Sequence, residues 1–341
     1  MTTEPAHWRA PRFRTALKRL RVGAMLATLR RRRHVPVQAW RAGRLHAADQ
    51  RAGRIPPPAP RRRDVRGVVC IPAGPGELHH VLDTARSVLA SDPDLHIIIV
   101  EDATTDVREA LVRAELPMVD VLRRRLPSGG PPRMFSVWRD GVARALETVR
   151  FEWLLKLDAD ALVCGPQLGA EISRRLDALP PEIGVAGSYR VRADGEPEDA
   201  EWHRWTLRAE ARYDAMLADA LGRAEANGLR IGDAVQGGAH VLTADAARRL
   251  CDDGWLDWSP RWWSRVNDDA AMTVFCSAAG FAPASIGGPD GIFAIKLRGL
   301  PLDLRELADG PWMVAHSVRR GLHGEDEATV RAFFAAQRRG W

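Results

Sequence analysis

Two aspartates, Asp158 and Asp160, stand where the apolar run from Phe151 to Leu157 stops. On an extended chain, residues i and i+2 project to the same side, so the two carboxylates converge at the end of a buried strand. Open α/β sheets bind their ligands at the carboxyl ends of such strands. Two carboxylates that close repel each other unless a proton or a cation lies between them. A hard divalent ion, Mn²⁺ or Mg²⁺, with oxygen ligands and bridging to a phosphate is the economical reading. Taken alone, a D-x-D is more often a pair of solvated loop acids.

Three further stretches carry residues able to do chemistry. Asn267-Asp268-Asp269 opens the helical run Ala270 to Ala279; acids there also serve as plain dipole partners or caps. Four tryptophans, Trp255, Trp258, Trp262 and Trp263, fall within nine residues. Trp312 to Ser317 is a strand-like run with one histidine, His316, which by default is a structural residue. Gly74-x-Gly76 follows a strand but has His79 where a dinucleotide fingerprint needs its third glycine, so NAD is not expected.

The elements that must position these residues read as a repeating series. Gly67 to Ile71 is a β-branched, apolar run ended by Pro72-Ala73-Gly74-Pro75-Gly76, a strand and a turn. Leu78, Val81, Leu82, Ala85, Val88 and Leu89 recur at helical spacing. Leu95 to Val100 is a second strand. Met134, Trp138, Gly141, Val142, Ala145 and Val149 form another helical stripe, which feeds the strand before Asp158. Strand, helix, strand, helix, strand predicts an α/β fold with a mainly parallel sheet. Gln236 to Thr243 reads as a Gly-rich turn into a short strand, and Ala244 to Leu250 as a helix with Thr243 as N-cap.

Charge is segregated. The formal net charge is +6, yet residues 1–66 hold 18 Lys/Arg against three acids, leaving 32 basic and 41 acidic residues in the remainder. Nucleic-acid binders carry positive charge on the folded body, so nucleic acid is not expected as a partner. The chain divides into a basic amphipathic arm and Pro-rich linker over 1–60, a large domain over 61–323 and a C-terminal helix over 324–341. Residues 11–33 of the arm interleave arginines with apolar residues at helical spacing, a pattern suited to an anionic membrane surface; a merely solvated arm is the alternative. Its apolar run is far short of the ~20 residues that span a bilayer. The four cysteines are scattered and fit a reducing cytoplasm. The expected location is cytoplasmic, with peripheral contact at the inner face of the membrane.

Taken in order, residues 66–320 resemble a nucleotide-sugar-dependent glycosyltransferase of the GT-A fold, similar to inverting, metal-dependent members. That resemblance implies a mixed, mainly parallel sheet with helices on both faces. Val100-Glu101-Asp102-Ala103-Thr104-Thr105-Asp106 is similar to the V-D-D-x-S-x-D segment ending the second strand; it implies Asp102 on the nucleobase, with Glu101 in place of the usual first Asp. Leu157-Asp158-Ala159-Asp160 is similar to the metal motif, implying Asp160 as metal ligand and Asp158 on the ribose or a metal-bound water. Gly237 and Gly238, followed by Asp268 and Asp269, resemble the glycine-rich turn and later acid pair, in which the second acid is the base. His316 resembles the late histidine that completes the metal shell.

The expected function is transfer of one sugar from a nucleoside-diphosphate sugar to a hydroxyl of a glycan, lipid or small-molecule acceptor, inverting, with Asp269 as base. Trp258, Trp262 and Trp263, together with Trp202 and Trp205, form an acceptor platform or else pack in the core. Three alternatives stand beside this reading. A retaining transferase would use Asp268 and Asp269 only to position substrate. A sugar nucleotidyltransferase would need a basic, Gly-rich loop after the first strand, and residues 72–76 hold no basic residue. The third is a non-catalytic nucleotide-sugar-binding protein.

Overall fold

Alternation along the central strands decides the layering. The computed structural model describes residues 63–74, 76–101, 107–114, 116, 119–124, 134–260 and 264–341. The arm, Asp102, Trp262 and Trp263 lie outside the described residues, as do the expectations attached to them. In chain order the strands are β1 (Arg63–Asp64), β2 (Gly67–Ala73), β3 (His96–Glu101), β4 (Val119–Arg123), β5 (Val149–Arg150) and β6 (Trp153–Leu157). They continue with β7 (Ala161–Val163), β8 (Ile183–Tyr189), β9 (Val235–Thr243), β10 (Ala282–Ser285), β11 (Phe293–Ile295) and β12 (Val314–His316).

Val68, Cys70, Ile98, Val100 and Leu154 point to one face, where helices Met134–Thr148, Ala215–Ala226, Ala244–Asp252 and Asp268–Ala278 cover them. Val69, Ile71, Ile97, Ile99, Leu155 and Leu157 point to the other, against helices Leu78–Ser91 and Leu168–Asp177. Each such Val, Ile or Leu, fully withdrawn from water, contributes about 1.5–3 kcal/mol before chain entropy is set against it. A sheet with apolar side chains on both faces needs helices on both faces.

The main sheet has the order β10-β8-β9-β6-β2-β3-β4. β6, β2, β3 and β4 run parallel. β9 alone is reversed, antiparallel to both β6 and β8, while β10 is parallel to β8. The mixed, mainly parallel α/β sheet expected from the sequence is what forms. A smaller sheet, β11-β12-β7, sits at the end of β6; β12 lies antiparallel to β7 and pairs His316 with Ala161.

The segment around Gly237 and Gly238 departs from expectation. It is not a turn but the interior of the nine-residue strand β9. The two glycines lie where the pairing of β9 with β8 shifts register, between the Tyr189–Val235 and Gly187–His240 pairs, and the missing side chains serve close approach rather than chain reversal. Thr243 does cap the next helix, accepting from the Ala246 N–H. The C-terminal helix Glu327–Gln337 is tied to the body: Arg331 reaches Asp83 at 2.9 Å and donates to the Ala159 carbonyl, and Arg338 reaches Asp83 at 2.6 Å.

Candidate metal and acid site

The loop between β6 and β7 is Asp158-Ala159-Asp160, and its backbone is fixed at several points. Asp158 N–H donates to the Gly238 carbonyl at 3.0 Å, Ala161 N–H to the Asp158 carbonyl at 3.0 Å, and Val318 N–H to the Asp160 carbonyl at 2.9 Å. From the helix Leu78–Ser91, Thr84 Oγ1 bridges the carbonyls of Ala159 and Ala161 at 2.9 and 2.8 Å. A loop bonded to β9, to the helix Leu78–Ser91 and to the turn at Val318 has little freedom, so the backbone that carries both carboxylates is held in place.

Strand β12 brings the third group. His316 Nε2 lies 3.3 Å from Asp160 Oδ1 and 3.8 Å from Asp158 Oδ2. One donor atom from each of Asp158, Asp160 and His316 fits within 4.8 Å of the others. Gly238 makes this possible, because a Cβ there would stand 2.2 Å from His316 Nδ1. That buried Nδ1 has no hydrogen-bond partner among the described residues, so the ring is oriented through Nε2 toward the two carboxylates. Two carboxylate oxygens and one imidazole nitrogen, converging in a cradle only glycine leaves open, fit a hard-to-borderline divalent ion.

Arg319 and Ser317 complete the surroundings of Asp160. Ser317 Oγ and Arg319 Nε both donate to Asp160 Oδ2 at 2.8 Å, and Arg319 Nη2 reaches Glu77 Oε1 at 2.9 Å. Burial alone would raise the Asp160 pKa, but the hydrogen bonds and charge from His316, Ser317 and Arg319 hold the carboxyl well below the usual carboxylate range. Asp158 goes the other way, pushed up to about 6 by burial against the pull of Lys156 and His316.

Lys156 is the residue that sequence reasoning missed. Its side chain is 2% exposed, and its Nζ stands 2.9 Å from Asp158 Oδ1 and 2.8 Å from Asp268 Oδ2. It also donates to the Gly237 carbonyl. Burial would lower the ammonium's pKa, yet the two carboxylates outweigh it and the pKa is raised. The signal was present: a lysine inside an otherwise apolar strand, two residues before Asp158 and so on the same side. A buried lysine is rarely left without carboxylate partners. His240, opposite Lys156 on β9, is pushed down to about 3 by burial and the lysine's charge, and stays neutral.

The two acids at the start of helix Asp268–Ala278 therefore differ. Asp268 is the counter-ion of Lys156, which overrides the effect of burial and holds its carboxyl below the ordinary range. Asp269 makes no ion pair among the described residues; its Oδ1 accepts the Ala270 N–H at 2.7 Å, and burial raises its pKa. It lies against Gly237, where a Cβ would come within 3.1 Å of Asp269 Oδ2. The adjacent glycines Gly237 and Gly238 thus face different groups, Asp269 and His316.

Two predicted site residues are not brought into this cluster. Glu101 is buried at the end of β3, 3.7 Å from Arg123 Nε. Trp258 corrects the expectation of an acceptor platform at that position: it is 2% exposed, packs edge-on to Phe135 and Phe275, and donates from Nε1 to Asp214. The physical reason is that its ring closes the core over the helix Asp268–Ala278. Trp202 and Trp205, by contrast, are 44% and 56% exposed.

The chain is similar to several solved structures at low identity. The mannosyltransferase PcManGT from Pyrobaculum calidifontis, in complex with GDP-Man and Mn²⁺, is 16% identical over 74% of this chain and 64% of its own, with a TM-score of 0.40. The galactosyltransferase LgtC, in complex with donor and acceptor sugar analogs, is 12% identical over 79% of this chain and 95% of its own, at 0.45. TarS 1–349 from S. aureus, in complex with UDP, is 13% identical over 62% and 56%, at 0.38. This chain spans just under two thirds of the mannosyltransferase and little more than half of the TarS fragment. No protein-family model matches the chain, and no curated protein matches it. The functional reading rests on the residues of the site.

Proposed function

We propose that this protein is a metal-dependent glycosyltransferase that moves one sugar from a nucleoside-diphosphate sugar to an acceptor hydroxyl, with Asp269 as the base. The observation that carries the reading is the convergence of Asp158, Asp160 and His316 beside an acid pair of which one member is neutralised by Lys156. Asp158, Asp160 and His316 would hold the ion, Mn²⁺ or Mg²⁺. Bound there, such an ion supplies Lewis-acid stabilisation to a departing diphosphate.

The chain's own groups do the rest. Asp160, whose carboxyl is held well below the usual carboxylate range by His316, Ser317 and Arg319, offers a charged oxygen to a cation. Lys156 fixes Asp158 and Asp268 at the boundary between the metal side and the acid pair. Asp269, held with a raised pKa beside Gly237, is the carboxylate left to take a proton from an acceptor hydroxyl. One displacement assisted in this way inverts the anomeric centre. Glu101 and Asp102 are assigned to the nucleotide by resemblance.

Titration of the purified chain with GDP and with UDP, in Mn²⁺ and in EDTA, tests the proposal. Nucleotide affinity should rise with Mn²⁺, and Asp160→Asn or His316→Ala should remove the rise. Equal affinity in Mn²⁺ and EDTA for both nucleotides overturns the metal-dependent reading.

Among the described residues, no helix is long and apolar enough to cross a membrane. A cytoplasmic location, with residues 11–33 on an anionic membrane surface, is part of the same proposal.

A further inference from the structure

A cleft at the start of the helix Ala200–Ala211 and of β9 is lined mainly by polar side chains that the metal and base leave unused. Its lining includes Arg190, Glu198, His203, Arg230, Asp233 and Gln236. Glu198 is gripped at both oxygens: Ser188 Oγ donates to Oε1 at 3.2 Å and Gln236 Nε2 to Oε2 at 2.8 Å. The buried Asp233 takes Arg190 Nε at 2.7 Å and Arg230 Nη2 at 2.8 Å, so that wall is pre-arranged too. Arg190 adopts φ 64°, a left-handed conformation that side-chain-bearing residues enter at a cost and that gathers at ligand sites.

Continuity along β9 ties this cleft to the base. Gln236 immediately precedes Gly237, the glycine against which Asp269 rests, and His203 and Glu198 both act electrostatically on Asp269 or feel its charge. The helix Ala200–Ala211, which supplies His203, also presents Trp202 and Trp205 to solvent, their ring centroids 5.6 Å apart and tilted by 36°. Two adjacent, half-exposed indoles are costly in water and offer flat faces to the C–H edges of a pyranose ring.

We propose that this cleft is the acceptor subsite and that the acceptor is a saccharide, one ring hydrogen-bonded by Glu198 and Gln236 with its reacting hydroxyl toward Asp269, and a further ring stacked on Trp202 and Trp205. The proposal rests on the glycosyltransferase reading above. Beside Pro197, Ala200 and Ala234 the cleft is lined by carboxylates, guanidinium groups and an amide, donors and acceptors that match sugar hydroxyls. Burial pushes Glu198 up to about 7, so near neutral pH this carboxyl can both donate to and accept from sugar hydroxyls.

The test is retention of the fluorescently labelled full chain on a glycan array, with phosphatidylglycerol vesicles in parallel. Discrete glycans should be retained, and both Glu198→Gln and the double variant W202A/W205A should cut retention by ~10-fold or more. The tryptophans are exposed, so the double variant keeps its fold, which a melting curve verifies. The proposal is overturned if no glycan is retained, if neither variant matters, or if W202A/W205A instead abolishes vesicle binding. Manganese-dependent nucleotide binding, measured separately, reports on the transferase reading: its presence without glycan retention sinks the acceptor assignment alone. Its absence sinks the transferase reading, and any retained glycan is then not an acceptor.

Discussion

Lys156 and Asp268 form a buried ion pair, Nζ to Oδ2 at 2.8 Å, and this pair separates the roles of two neighbouring acids. Removing one partner of such a pair strands the other charge in a dry site, which typically costs about 3–5 kcal/mol. Lys156→Met should lower the unfolding free energy by about that amount in a urea titration, because Asp158 and Asp268 both lose their cation. Adding Asp268→Asn to Lys156→Met should recover part of the loss. A single variant within about 1 kcal/mol of wild type would mean that the pair does not hold the site.

Gly238 tests the cradle without touching any ligand atom. A Cβ at that position would overlap the His316 ring, the nearest atom at 2.2 Å. Gly238→Ala should therefore displace His316 and abolish the Mn²⁺ enhancement of nucleotide binding, while the binding measured in EDTA is kept. Isothermal titration in both buffers reads the two quantities; an undiminished Mn²⁺ effect would show that His316 is not a ligand.

Asp268 and Asp269 should respond differently to the same nearly isosteric change. Asp269→Asn should lower kcat by ~10² or more through loss of proton abstraction. Asp268→Asn should be the milder variant in turnover and the more damaging one in stability, since it unpairs Lys156. If Asp268→Asn is inactive and Asp269→Asn turns over normally, the base is Asp268. If both turn over normally, inversion assisted by this pair is excluded.

Glu198 makes stability depend on pH with a definite sign. Its native pKa is pushed up to about 7, first by burial, whereas a free Glu titrates near ~4.3. The native state therefore holds this proton at pH values where the unfolded chain has released it. The stabilisation is complete below about pH 4 and is lost as pH rises toward 7. Glu198→Gln cannot titrate, so its melting temperature should fall less steeply than that of wild type between pH 4.5 and 7. Parallel slopes for the two proteins would contradict the placement of Glu198 in a desolvated cleft.

Much of this protein was legible in its residues. The strand-helix-strand series, the apolar runs at 67–71 and 95–100 and the Thr243 cap required only periodicity and local chemistry, which the chain carries along itself. Asp158 and Asp160 declared themselves because spacing of two at a strand end places both on one side. What the sequence left open depended on the reversal of β9 and the antiparallel landing of β12 beside β7. Those pairings carry Gly237 against Asp269, Gly238 against His316, and His316 onto Asp160, across separations that no local pattern encodes. The same holds for Lys156, whose two partners lie two residues away and 112 residues away. Trp258 and Trp202 share a side chain but not an environment: burial depends on what packs above a residue, and only the tertiary structure decided that one indole fills the core while the other faces water.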